Sequence, residues 1–137
     1  MNAKQFLGRA RWADKEIVSL MRTRDETFDR LTHITQSYDG DGAQTTKDPH
    51  KFDSYVALEQ KLDQMIDELC DIKLEIINVL SQLKDTRELM ILKAYYVDLK
   101  TWERTAADCG LSWTHTMRLR KSAIKNVDAV LNGITHM

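Results

Sequence analysis

The chain has 137 residues, with 20 Lys/Arg against 21 Asp/Glu, one proline and five glycines. That length suits one compact domain or two small helical lobes, and the scarcity of breakers favours long helices. A net charge of −1 means that global charge does not advertise a nucleic-acid binder, and no apolar run is long enough for a signal peptide or a membrane span.

Ala3, Phe6, Ala10, Ala13, Ile17 and Leu20 recur in alternating steps of three and four. Leu31 and Ile34 rejoin that register after Arg24 and Thr27 interrupt it. The spacing predicts an amphipathic helix over about residues 3–34, frayed or bent near the interruption. Leu7, Trp12, Met21 and Phe28 are expected to widen its apolar side. Residues 37–50 hold Gly40, Gly42 and Pro49 and almost no apolar side chain, which predicts a mobile loop. Asp39 and Asp41 do not make it a calcium loop. An EF-hand starting at Asp39 needs glycine and glutamate where Gln44 and His50 stand.

From Phe52 to Leu83 the three-four step is unbroken: Tyr55, Leu58, Leu62, Met65, Leu69, Ile72, Ile76, Val79 and Leu83. Four heptads of this kind suit a coiled-coil seam. Val56, Ile66, Ile77 and Leu80 thicken the stripe, so the helix is expected to touch more than one neighbour. Residues 1–83 thus read as an antiparallel helical hairpin that oligomerises, its extra apolar positions covered by a second copy of the chain in a dimeric bundle; the alternative is a monomer in which the long helix packs on the C-terminal lobe.

The remainder, residues 84–137, has a different rhythm. Asp85 is placed as an N-cap, with Glu88 at capping-box spacing. Leu89, Leu92, Tyr95 and Tyr96 follow at helical spacing, with Arg87 and Lys93 outside. Thr101 caps a short helix that Trp102 opens, and Ala106 is small enough for a close helix crossing. Gly110 turns the chain, with a positive φ that glycine adopts at little cost. Ser112 caps a last helix whose apolar face is Thr116, Leu119, Ala123, Ile124, Val127 and Leu131. Helix, short helix, glycine turn and helix is the order of a helix-turn-helix, whose last helix can enter a DNA major groove.

The charges agree. Residues 84–131 carry nine Lys/Arg against six Asp/Glu, and from Thr116 to Val127 the charged residues are Arg118, Arg120, Lys121 and Lys125, with no acid. Arginine can read guanine bidentately, and both cations can neutralise phosphates. A solvated basic helix face gives the same charge pattern. The preceding short helix, Ala106 and Gly110 are what tilt the reading towards DNA.

The segment from Leu83 to Val127 resembles region 4 of the sigma-70 family. It keeps Tyr95-Tyr96, Thr101-Trp102-Glu103, Ala106, Gly110 and the Leu119/Ala123/Ile124 register. The whole chain, beginning MNAKQFLGRARWADKEI, is similar to a small family from phages and prophages of Gram-positive bacteria. That family is related at its C-terminal domain to late-gene regulators of the ArpU/RinA type. The resemblance implies transcriptional control. It places base-reading side chains in the first two turns of the last helix: Trp113, Thr114, His115, Met117 and Arg118; Trp113 equally suits covering the edge of the core. Arg118 is the candidate reader of guanine, Arg120 and Lys121 suit phosphates or a groove wall, and Lys125, Lys100 and Arg104 suit backbone contacts. The departures are Thr105 in place of isoleucine, Cys109 in place of a larger aliphatic, and Trp113-Thr114 in place of two charged residues. They leave the operator sequence open.

No catalytic or metal-ligating constellation emerges. His33, His50, His115 and His136 are isolated, Cys70 and Cys109 read as small apolar fillers in a reducing cytoplasm, and no nucleotide-binding or nucleophile motif is present. The expectation is therefore an all-α, cytoplasmic, non-enzymatic protein without cofactor or metal, acting on double-stranded DNA as a homodimer. A sigma-like lobe that docks on RNA polymerase or another host protein is a second reading, and an architectural scaffold is a third.

Overall fold

The computed structural model describes residues 1–37 and 49–135. Its regular structure is five helices: α1 (Ala3–Ser37), α2 (Asp53–Leu80), α3 (Thr86–Tyr96), α4 (Trp102–Asp108) and α5 (Trp113–Thr135). The fold is all-α. Nearly all of the segment expected as a loop, residues 37–50, lies outside the described residues.

α1 stays helical through Arg24 and Thr27. Its threonine hydroxyls bond back to the preceding turn, Thr27 Oγ1 donating to the Thr23 carbonyl at 2.8 Å and Thr32 Oγ1 to the Phe28 carbonyl at 2.9 Å. These hydroxyls share the carbonyls with the helix's own N–H donors and so find partners without leaving the helix. Arg24 is likewise engaged, reaching Glu59 at 3.2 Å.

The chain divides into two compact units, Asp14–Glu68 and Met1–Ala13 with Leu69–Met137. In the Asp14–Glu68 unit the two helices run in opposite directions. The Arg24 guanidinium meets Glu59, and the Phe28 ring lies 5.4 Å from that of Tyr55. Ile17 and Leu62 are buried in this unit. Val18, Met21, Phe28, Phe52, Val56 and Ile66 are exposed. At 100° per residue, Met21 and Phe28 on α1 and Ile66 on α2 flank the seam on one side, the side of the Arg24–Glu59 pair.

In the other unit the first turns of α1 and the last turns of α2 share a core with α3, α4 and α5. Ala3, Leu7 and Ala10 are buried, as are Ile76, Val79 and Leu80, Ile91 and Leu92, Trp102 and Ala106, and Leu119, Ala123 and Val127. Polar contacts fasten the pieces. Ala3 N–H donates to Asp128 at 2.7 Å, and Arg9 pairs with Glu75 at 2.7 Å.

Three expectations need correction. Trp12 does not widen the apolar side of α1: it is 66% exposed. It projects nearly opposite Ala3, Leu7 and Ala10, the side of the helix that carries the core. Met21 and Phe28, expected on the same apolar side, are exposed, whereas Leu7, also expected there, is fully buried. Cys70 is exposed instead of filling a core.

Candidate nucleic-acid interface

The α3–α5 segment is built from local signals that the side chains satisfy. Asp85 accepts the Arg87 N–H at 2.9 Å, Thr101 the Arg104 N–H at 3.1 Å and Ser112 the His115 N–H at 3.1 Å. Each cap satisfies a donor that the helix start leaves free. Gly110 has φ 68°, and the N–H groups of Gly110 and Leu111 return to the carbonyls of Ala107 and Ala106. That pair of bonds closes α4 in the Schellman pattern, with glycine in its left-handed position. Between α3 and α4, Leu99 adopts φ 59°, an unusual conformation for a side chain branched beyond Cβ.

Glu88 is not the capping-box partner expected of it. It is 3% exposed and faces α5, where Oε1 accepts from Ser122 Oγ at 2.9 Å and both carboxylate oxygens accept from Asn126 Nδ2. A buried carboxylate left unbonded costs far more than a helix start left uncapped, so the long-range partners win. Thr105 is fully buried, and its hydroxyl has no hydrogen-bond partner among the described residues.

α3, α4 and α5 are also joined by a stack of four flat groups. The Arg11 guanidinium lies 3.9 Å over the Tyr95 ring. Tyr95 lies parallel to Trp102 at 4.0 Å and 11°, and Arg120 closes the stack 4.9 Å over Trp102. Both ends are cations on aromatic faces. Arg11 additionally donates to the Tyr95 and Lys100 carbonyls, each at 2.8 Å. Burial pushes the neighbouring Tyr96 phenol up, with Arg120 acting in the opposite direction.

The candidate DNA-binding residues fall into four groups. Thr114, Arg118, Lys121 and Lys125 are exposed and form one stripe at helical spacing, opposite the buried Thr116, Leu119, Ala123 and Val127. None of the three cations pairs with a carboxylate among the described residues. Trp113, 50% exposed, and the half-buried His115 and Met117 flank the stripe. Arg120 lies apart from it, half-buried on Trp102. Lys100 and Arg104 converge on Asp108, at 2.8 and 3.1 Å. The Lys100 hydrogen bond holds the Asp108 carboxyl below its ordinary value, and the same bond raises Lys100. Their charge is already shared with an acid.

No family model matches the chain, nor does any curated protein or solved structure.

Two residues that sequence reasoning did not single out join this region. Arg11 clamps the α3–α4 connection, and Lys4 lines a cleft with Arg120 and Lys121. Neither carries a local signal, because each meets its neighbours across more than eighty positions of chain. Among the described residues, no group of three His, Cys, Asp or Glu side chains is placed to hold a metal ion, and no helix is long and apolar enough to cross a membrane.

Proposed function

We propose that the protein is a sequence-specific double-stranded DNA-binding regulator of transcription, of the phage type that its resemblance to a phage and prophage family implies. In this reading α4, the Gly110 turn and α5 form a helix-turn-helix, and α5 enters the major groove with its first turns. The observation that carries it is the stripe of Thr114, Arg118, Lys121 and Lys125: an exposed row with three cations that have no acid partners among the described residues, fixed on a capped helix whose opposite face is core. Arg118 reads guanine, Trp113 packs on a thymine methyl or a sugar, and Lys121 and Lys125 take phosphates. Lys100 and Arg104 contribute less than their charge suggests, because Asp108 competes for them. The protein acts in the cytoplasm.

The same proposal makes α1 and α2 a long antiparallel hairpin that dimerises. Its support is the apolar flank of Met21, Phe28 and Ile66, exposed beside the seam of the Asp14–Glu68 unit. A second copy covering it gives a four-helix arrangement.

Selection of bound duplexes from a random pool tests the reading, followed by binding of Arg118→Ala and Lys121→Ala to the selected and a random duplex. Arg118→Ala lowers discrimination between the two, whereas Lys121→Ala weakens both alike and flattens the salt dependence. Two half-sites about one helical turn apart mark the dimer. If no duplex is enriched, and both variants bind as the parent does, α5 is not a reader of DNA. A shift seen only with RNA polymerase present replaces this function with docking on the polymerase.

A further inference from the structure

We propose that the first turn of α1 completes a phosphate site, in which Lys4, Arg120 and Lys121 together hold one phosphodiester of the DNA backbone. This rests on the duplex-binding reading above and adds a residue from the far end of the chain to it. The three cations line an open cleft of about 370 Å³, walled otherwise by Met117 and Ile124. No carboxylate lines it, and none of the three cations has an acid partner among the described residues. Three like charges gathered without a counter-charge repel one another, and an anion between them removes that repulsion.

The cleft is also held in shape. The Arg120 guanidinium lies on the Trp102 ring, and its Nη1 is 3.9 Å from the Met117 sulfur. Neither neighbour neutralises its charge, so the arginine is oriented yet electrostatically unspent. Lys4 follows a residue that cannot wander: Ala3 is buried, and its N–H is held by Asp128 at 2.7 Å. Two short apolar walls beside three cations fit a phosphate with its adjoining sugar better than a free ion. Lys121 belongs both to this cleft and to the exposed stripe of α5, so the strand that α5 reads passes directly over it. Such contacts fix register without reading bases.

The experiment is fluorescence anisotropy of the full chain on the selected duplex and on a random one, over a series of salt concentrations. Lys4→Ala, Lys4→Arg and Arg118→Ala are compared with the parent. Lys4→Ala reduces the slope of log affinity against log salt by part of the roughly 0.9 that one phosphate contributes, since Arg120 and Lys121 still face it, and weakens both duplexes by the same factor. Lys4→Arg keeps the parent slope. Lys4 is exposed, so its variants melt as the parent does, and a melting check separates lost binding from lost fold. A Lys4→Ala slope equal to the parent's overturns this site while leaving the duplex reading in place. A parent that binds neither duplex at low salt overturns both.

Discussion

Arg11→Ala is the most informative perturbation of the fold. Its guanidinium makes two charge-assisted bonds to main-chain carbonyls, at Tyr95 and Lys100, and covers one face of the Tyr95 ring. Bonds of that kind contribute about 1.5–3 kcal/mol each, and a cation on an aromatic face about 1 kcal/mol. Two effects reduce the sum. Arg11 Nε is buried without a partner, and relieving it returns about 1 kcal/mol. Water also reaches the freed carbonyls once the side chain is cut back, replacing about half of what the bonds gave. The net loss is about 2 kcal/mol, which at this chain length lowers the melting temperature by about 8 °C. Arg11→Lys falls between parent and alanine, since an ammonium can serve the carbonyls but cannot lie flat on Tyr95. Thermal melts followed by far-UV circular dichroism check the loss, and the near-UV signal of the Tyr95–Trp102 pair reports whether the stack loosens with it. Should the alanine variant melt within about 1 °C of the parent, with its near-UV spectrum intact, the clamp contributes nothing and the reasoning fails.

The other expectations concern charge and backbone. Asp108 has its folded pKa lowered by the Lys100 hydrogen bond and then by Arg104. What the cluster adds to stability is therefore fully present above the ordinary carboxylate range and disappears as pH falls through the lowered folded value. Asp108→Asn should be the less stable protein at neutral pH, and urea melts of the two should converge in strong acid; a gap that is constant with pH would refute the assignment. Gly110→Ala should cost about 1 kcal/mol, because alanine resists the left-handed region. A Cβ built there meets nothing within 4 Å, so a loss several times larger would show that something other than φ is at work.

Local signals were legible in the sequence, and distant ones were not. Asp85, Thr101, Ser112 and Gly110 each act within a few residues of themselves, and spacing alone placed all four. Glu88 has the same spacing from Asp85 that a capping box requires. Its carboxylate nevertheless turns to Ser122 and Asn126, 34 and 38 positions away. No window on the sequence contains that competition. Arg120 has the same difficulty: its angle on α5 is readable, but that the flank it occupies holds Trp102 is a matter of tertiary packing. Arg104 and Asp108 differ. They stand four apart on one helix, a spacing plain in the sequence that already argued against counting Arg104 as a free cation. For α2 the pattern found the seam, while the exposed Val56 and Ile66 mark positions where hydrophobicity ran ahead of what a single chain buries.

Because Leu7, Ala10 and Arg11 are built into the same unit as α3, α4 and α5, the region that resembles a free-standing module is not one that can be cut out at residue 84. A fragment beginning there would lay bare the apolar surface that the opening turns of the polypeptide cover, and would lose the arginine that ties down the link before Trp102. Anyone dissecting this protein by expressing only residues 84–137 would be handling a lobe stripped of one wall, and a failure of that fragment to bind would say nothing about the intact chain.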